Sequence, residues 1–191
     1  MKPLPRSFYE RDTAQVAREL LGKGLVHRSP GGITSGRIVE TEAYYGRGDP
    51  ASRASRKRTK LNWLMWEKGG LAFVYMVHGC WLFNITTERE GIPGAVLARA
   101  LEPFEGLELM KRRRGTKDER NLASGPGKLT QAMCITYAHH GLDLTNPGTE
   151  LVIISGRGEP FEVASSHRIG VTTDLKRELR FFIRGNPYVS R

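Results

Sequence analysis

Cysteine is scarce in this chain. Cys80 and Cys134 are the only two in 191 residues, and neither belongs to a Cys-x-x-Cys. That excludes a disulfide framework, points to a reducing compartment and argues against a zinc site. The five histidines, His27, His78, His139, His140 and His167, show no metal-ligand spacing with the cysteines. The His139-His140 pair reads as part of a polar loop before Gly141, with no role assigned. Long apolar runs are also missing, and nothing approaches the roughly 20 residues of a membrane span. The N-terminus, Met1-Lys2-Pro3-Leu4-Pro5-Arg6, lacks the apolar core of a signal peptide, so a membrane or secreted location is not expected. Internal repeats and low-complexity segments are absent. Acidic residues are few, 20 against 30 lysines and arginines, which leaves a net charge of +10. Such an excess bears on partners and not on fold, and it suits a polyanion such as nucleic acid.

What is present suits one globular domain, taken as residues 1–191. Hydrophobic content is 39% and charged content 26%. A helix is expected over 12–21, with Asp12 and Gln15 as a capping box, Val16, Leu20 and Leu21 as the apolar face and Gly22 as the stop. Strands follow at 25–27 and 36–45. Residues 46–62 are polar and basic and read as a loop. Residues 71–77 and 81–86 form a hairpin around His78-Gly79-Cys80, and 95–101 is a further strand. Glu102-Pro103 is expected to open a helix running toward Gly115. A charged loop, a helix over 128–135 and strands at 151–154, 167–172 and 179–184 complete the chain. Few helices and directly consecutive strands favour an α+β fold with a curved, mostly antiparallel sheet, surrounding helices and a protruding β-hairpin.

The densest chemistry lies in Arg37-Ile38-Val39-Glu40-Thr41-Glu42-Ala43-Tyr44-Tyr45-Gly46. Alternation along a strand places Ile38, Glu40, Glu42 and Tyr44 on one face. Two carboxylates and a phenol there are costly unless partnered. They make either a general-base site or an exposed face with two solvated glutamates. Three basic clusters, Arg53–Lys60, Lys111–Arg114 and Lys176–Arg184, are either solvated faces or a nucleic-acid surface. Two motifs fail. Gly125-Pro126-Gly127-Lys128 lacks the earlier glycine of a phosphate loop, because that position is Leu122. Gly91-Ile92-Pro93-Gly94-Ala95 has the wrong flanks for a helix-hairpin-helix. Glu40 and Glu42 have no further acidic residues clustered near them, which gives a metal nuclease weak support.

Taken together, the stretches resemble the alkyladenine (3-methyladenine, methylpurine) DNA glycosylase family. The resemblance runs in family order through Leu20-Leu21-Gly22, Arg37–Tyr44, Asp49-Pro50-Ala51-Ser52, Arg58-Thr59 and Phe73-Val74-Tyr75. It continues through Arg99–Gly106, Leu122–Leu129, Arg168-Ile169-Gly170-Val171 and Arg180–Pro187. It implies a monofunctional enzyme without a cofactor or metal, acting as a monomer on duplex DNA in the cytoplasm (nucleoid) or nucleus. Such an enzyme flips an alkylated or deaminated purine out of the stack and hydrolyses its bond to the sugar.

By that resemblance Glu42 is the catalytic base and Glu40 has a structural role. Tyr44 and Tyr75 sandwich the base, with Asn84 and Arg99 at the pocket and its support. Arg56, Arg58, Thr59 and Lys60 meet the DNA backbone. His78 and Met65 fill the gap left by the flipped nucleotide. This chain departs from the pattern at Arg53, where the family usually has a base-contacting histidine, and at His78, where it has tyrosine. The strand leading to Asn84 is also one residue shorter. These departures bear on substrate range. Alternatives from other classes are a non-catalytic damage-sensing DNA binder and a metal-dependent nuclease.

Overall fold

The computed structural model describes residues 2–156 and 158–190. Its centre is a long strand, β2 (Gly32–Tyr45), into which all the other sheet elements are tied. β1 (Gly24–Ser29) and β5 (Gly94–Glu105) pair with it antiparallel on either side. β3 (Ala72–Val77) and β4 (Cys80–Thr86) form a hairpin that continues from β5, and β6 (Leu151–Ile154) continues from β1. β7 (Val163–Ser166) and β8 (Arg180–Ile183) form a second ribbon. β8 pairs with Glu40–Glu42 of β2, beyond the reach of β1. One strand therefore serves two partners along the same sequence, and the antiparallel sheet curls into a half-barrel.

Among the described residues four α-helices accompany it: α1 (Arg6–Tyr9), α2 (Thr13–Leu20), α3 (Leu107–Arg114) and α4 (Pro126–Met133). α2 begins where expected. The Asp12 carboxylate accepts the Gln15 amide, and Val16, Ala17 and Leu20 are buried. The capping box is only half formed, because the Gln15 side chain bonds Glu19 instead. α1 had no signal in the sequence.

Two expected elements are corrected. Glu102-Pro103 does not open a helix. Strand β5 runs on to Glu105, with Pro103 opposite Gly36 at a bulge, where a missing N–H is tolerated. The helix begins only after Gly106, whose φ of 76° suits glycine; a Cβ there would lie 2.3 Å from the Ile33 carbonyl. Residues 167–172 are not a strand either. The strand is β7, just before them, and the following loop is shaped by Arg168, whose backbone N–H and side chain both bond Asp174.

The main core gathers α2, the sheet and α4 around Leu20, Ile38, Phe83, Leu101 and Phe181. A smaller cluster of Ala54, Leu64, Met65, Leu71, Phe73 and Ala95 supports the basic loop and the hairpin base. No helix among the described residues is long and apolar enough to cross a membrane.

Candidate active site

Neighbouring strands place Glu42 opposite Leu97, Leu97 opposite Asn84, and Asn84 opposite Phe73. Glu42 and Asn84 thus share one row across the sheet, with Tyr44 two residues along β2 and Tyr75 two residues along β3. Both Glu40 and Glu42 are 0% exposed, so they are not solvated glutamates. Glu42 Oε1 accepts the Ile169 N–H at 2.7 Å. Its Oε2 accepts the Tyr44 hydroxyl at 2.8 Å and Arg99 Nη1 at 3.2 Å. Burial pushes the Glu42 carboxyl above the ordinary glutamate range, against the pull of Arg99, the Ile169 amide and Tyr44. Burial and the Glu42 charge likewise push the Tyr44 phenol up, which keeps it a donor.

Arg99 reaches both carboxylates because of a bulge. Glu40 pairs with Ala100 and Thr41 with Ala98, which leaves Arg99 as the extra residue. Its Nε donates to Glu40 Oε1 at 2.9 Å. Burial opposes the Arg99 charge, but Glu42 and Glu40 hold its pKa above the ordinary arginine value. Glu40 is further held by Arg180 at 2.7 Å and by the Ser190 amide and hydroxyl at 2.7 and 2.8 Å. Ile38, expected on the Glu42 face, packs into the main core beside Val39, because a second bulge at Val39 interrupts the alternation.

Tyr75 is half-buried. Its hydroxyl is bonded by the Arg53 and Asn84 side chains, and the Arg53 guanidinium lies 5.0 Å from its ring centroid. Asn84 also donates to the Phe73 carbonyl at 3.2 Å. On the far side of Tyr44, the guanidinium of Arg168 lies 4.6 Å from the ring centroid. Arg168 is clamped by Asp49 through two bonds of 2.7 Å, by Asp174 and by the Ala43 carbonyl. Sequence reasoning assigned no role to Arg168, Ile169, Asp49, Arg180 or Ser190. Asp49, Arg168-Ile169 and Arg180 each lie in a matched stretch, which was their signal; Ser190 lies beyond the last of them and nothing in the sequence marked it.

Met65 is a correction. Expected as a plug, it is 1% exposed and packs in the smaller core cluster, so it is not presented for insertion. The exposed methionine near the hairpin tip is Met76. His78 is exposed at that tip, in a two-residue turn with φ of 48° at His78 and 78° at Gly79, the signature of a type I′ hairpin. Arg56, Arg58, Thr59 and Lys60 are all exposed. Their loop is anchored by the buried Asn62, which accepts the Thr59 amide and donates to the Arg53 and Lys57 carbonyls. Arg58 is paired with Glu67 at 2.6 Å.

Two cavities, of about 880 and 470 Å³, open on the surface, and neither is lined by Glu42, Tyr44 or Tyr75.

The family model for methylpurine-DNA glycosylase (MPG) matches residues 7–187. The chain belongs to that family. A protein of Methanoculleus marisnigri is 47% identical over 191 residues, which cover 98% of this chain and 98% of that protein. One of Chlorobaculum tepidum is 46% identical over 194 residues, covering 100% of this chain and 92% of its own length. One of Bacillus licheniformis is 45% identical, covering 100% and 97%. Each of the three is named "Putative 3-methyladenine DNA glycosylase". This glycosylase is therefore an enzyme of DNA repair that acts on DNA carrying alkylated bases.

Proposed function

We propose that the glycosylase flips alkylated or deaminated purines out of duplex DNA and hydrolyses the N-glycosidic bond with a water activated by Glu42. Flipping is required because the sugar–base bond is out of reach inside the stack. Water attacks the sugar C1′, the bond to the purine breaks, and its electron pair leaves with the base. Glu42 accepts the water proton and stabilises the positive charge that develops on the sugar. Tyr44 and Tyr75 bracket the base, each platform contributing roughly 1–3 kcal/mol of stacking. Arg53 must leave the Tyr75 ring or stack with the incoming base. Asn84 holds the Tyr75 hydroxyl, and Arg99 fixes the orientation of the Glu42 carboxylate.

The observation that carries this reading is a fully buried carboxylate, fixed by three donors, with Tyr44 two residues along its own strand and Tyr75 two residues along β3 from the end of its row across the sheet. The test is release of free base from a duplex containing hypoxanthine or ethenoadenine, in EDTA, by the parent and by Glu42→Gln. The parent is expected to release base and leave an unnicked abasic strand. Glu42→Gln is expected to lose about 10²–10⁴-fold in rate while still binding the duplex. Near-parental release by the variant removes Glu42 from its role.

A further inference from the structure

His27 lies on β1, His139 in a single 3₁₀ turn (Tyr137–His139), and Glu150 immediately before β6. They are far apart in sequence, and no spacing rule connects them. The pairing of β1 with β6, His27 opposite Leu151, brings Glu150 to His27, and the turn Tyr137–His139 sets His139 against both. The two Nε2 atoms stand 3.1 Å apart, and Glu150 Oε1 lies 3.4 Å from His139 Nε2. All three ligand atoms fall within 4.8 Å of one another. Both imidazoles are buried, whereas the Glu150 side chain is 47% exposed and leaves one side open to water.

From these positions the geometry points to a divalent transition-metal site, here assigned to zinc, with His27 Nε2, His139 Nε2 and Glu150 Oε1 as ligands and water in the fourth position. Zinc–nitrogen bonds of about 2.0–2.1 Å in a tetrahedron set ligand atoms about 3.3–3.4 Å apart, close to the two separations at His139; the third, between His27 and Glu150, lies within 4.8 Å and would be closed by a shift of the half-exposed Glu150 side chain. Imidazole favours zinc over magnesium or calcium. The outer contacts also fit. His27 Nδ1 lies 2.6 Å from the Met133 carbonyl, and His139 Nδ1 lies 3.2 Å from that of Thr136. A ligating histidine usually donates its second N–H to such an acceptor, which frees Nε2 for the metal. Without an ion, one Nε2 must carry a proton to satisfy the other, and His139 Nδ1 then accepts the Thr136 N–H at 3.1 Å. The neighbouring cation, Arg113, is engaged by the Ala132 carbonyl and the Ser29 hydroxyl.

The site would act as a clasp. His140, next to His139, is bonded through Nδ1 to Val74 on β3, the strand that carries Tyr75 toward the hairpin tip. Fixing His139 to β1 braces that strand from behind.

The test is calorimetric titration of the chelator-stripped full chain with zinc chloride, together with its unfolding midpoint. One zinc ion per chain and a raised midpoint are expected. Glu150→Gln, at an exposed position that should not disturb folding, and His27→Gln should each weaken binding by at least the roughly 10–100-fold typical of losing an outer partner. Both should abolish the rise in midpoint. Cys80→Ser and Cys134→Ser, which alter the exposed thiols, should leave binding unchanged. No zinc binding by the parent, equal binding by Glu150→Gln, or loss of binding in either serine variant would overturn the site.

Discussion

At the scale of single residues, the behaviour of Glu42 follows from burial set against three donors. A general base works only when ionised, so base release must fail as pH drops through its pKa. Because burial raises that pKa, the acid limb for a neutral lesion should lie above the ordinary glutamate value of about 4.3. A rate profile for hypoxanthine release that stays flat down to about pH 4.3 would exclude this. Arg53 is the second residue with a measurable consequence. Its guanidinium lies 5.0 Å from the Tyr75 ring centroid although the residue as a whole is exposed. A fixed positive charge there opposes cationic bases such as 7-methylguanine and suits neutral lesions offering an acceptor. In Arg53→His, release of 7-methylguanine relative to hypoxanthine and ethenoadenine should rise. Unchanged ratios among the three duplexes would place Arg53 outside the pocket.

At the scale of elements, the proposed function divides the work of holding DNA between the hairpin and the basic loop. The β3–β4 hairpin presents His78 at a tight type I′ tip, where a rigid turn holds one side chain in a fixed direction. His78→Ala should therefore lose flipping, followed with a fluorescent base analogue opposite thymine, while duplex affinity falls only modestly. Equal flipping by variant and parent would show that the gap is filled by something else. The loop from Arg53 to Lys60 is ordered by Asn62 yet keeps its charges exposed, as phosphate contacts require. Arg58 must exchange Glu67 for a phosphate, so its net contribution to affinity is reduced but its counterion release is not.

At the scale of the whole molecule, the excess charge is not spread evenly in function. In the second cluster Lys111 pairs with Glu108 and Glu119, Arg113 bonds the Ala132 carbonyl, and Arg114 bonds Leu122 and Gln131. In the third, Arg180 holds Glu40, Arg184 pairs with Glu162, and the Arg177 guanidinium lies 4.3 Å from the Tyr45 ring centroid. Arg113, Arg114 and Arg180 are thereby committed to the fold, whereas the Arg184–Glu162 pair lies at the surface. Binding should weaken linearly on a double-logarithmic salt plot, with a slope of about −0.9 per phosphate neutralised. Arg58→Gln should make that slope shallower by about one, and Lys111→Gln should leave it unchanged. The opposite ranking, measured by fluorescence anisotropy across a salt series, would put the DNA on the α3 side.

The sequence alone determined most of the strands, half of the α2 cap, the hairpin and the Glu42–Tyr44 stretch, because alternation, turn residues and helix caps act over a few residues. Even the matched stretch around Arg168 was visible, though its purpose was not. Tertiary structure decided what depends on distant partners. Two bulges re-aimed Arg99 and moved Ile38 off the Glu42 face, and a bulge lets one extra residue change direction without marking the sequence. Pro103 stayed in a strand because its place opposite Gly36 asks for no N–H. Met65 went into the core, since the small cluster under the basic loop needed its volume. Glu150 met His27 because β1 pairs with β6, and the turn Tyr137–His139 brought His139 to both. Local propensities choose the elements; strand pairing between remote segments decides which side chains end up as neighbours.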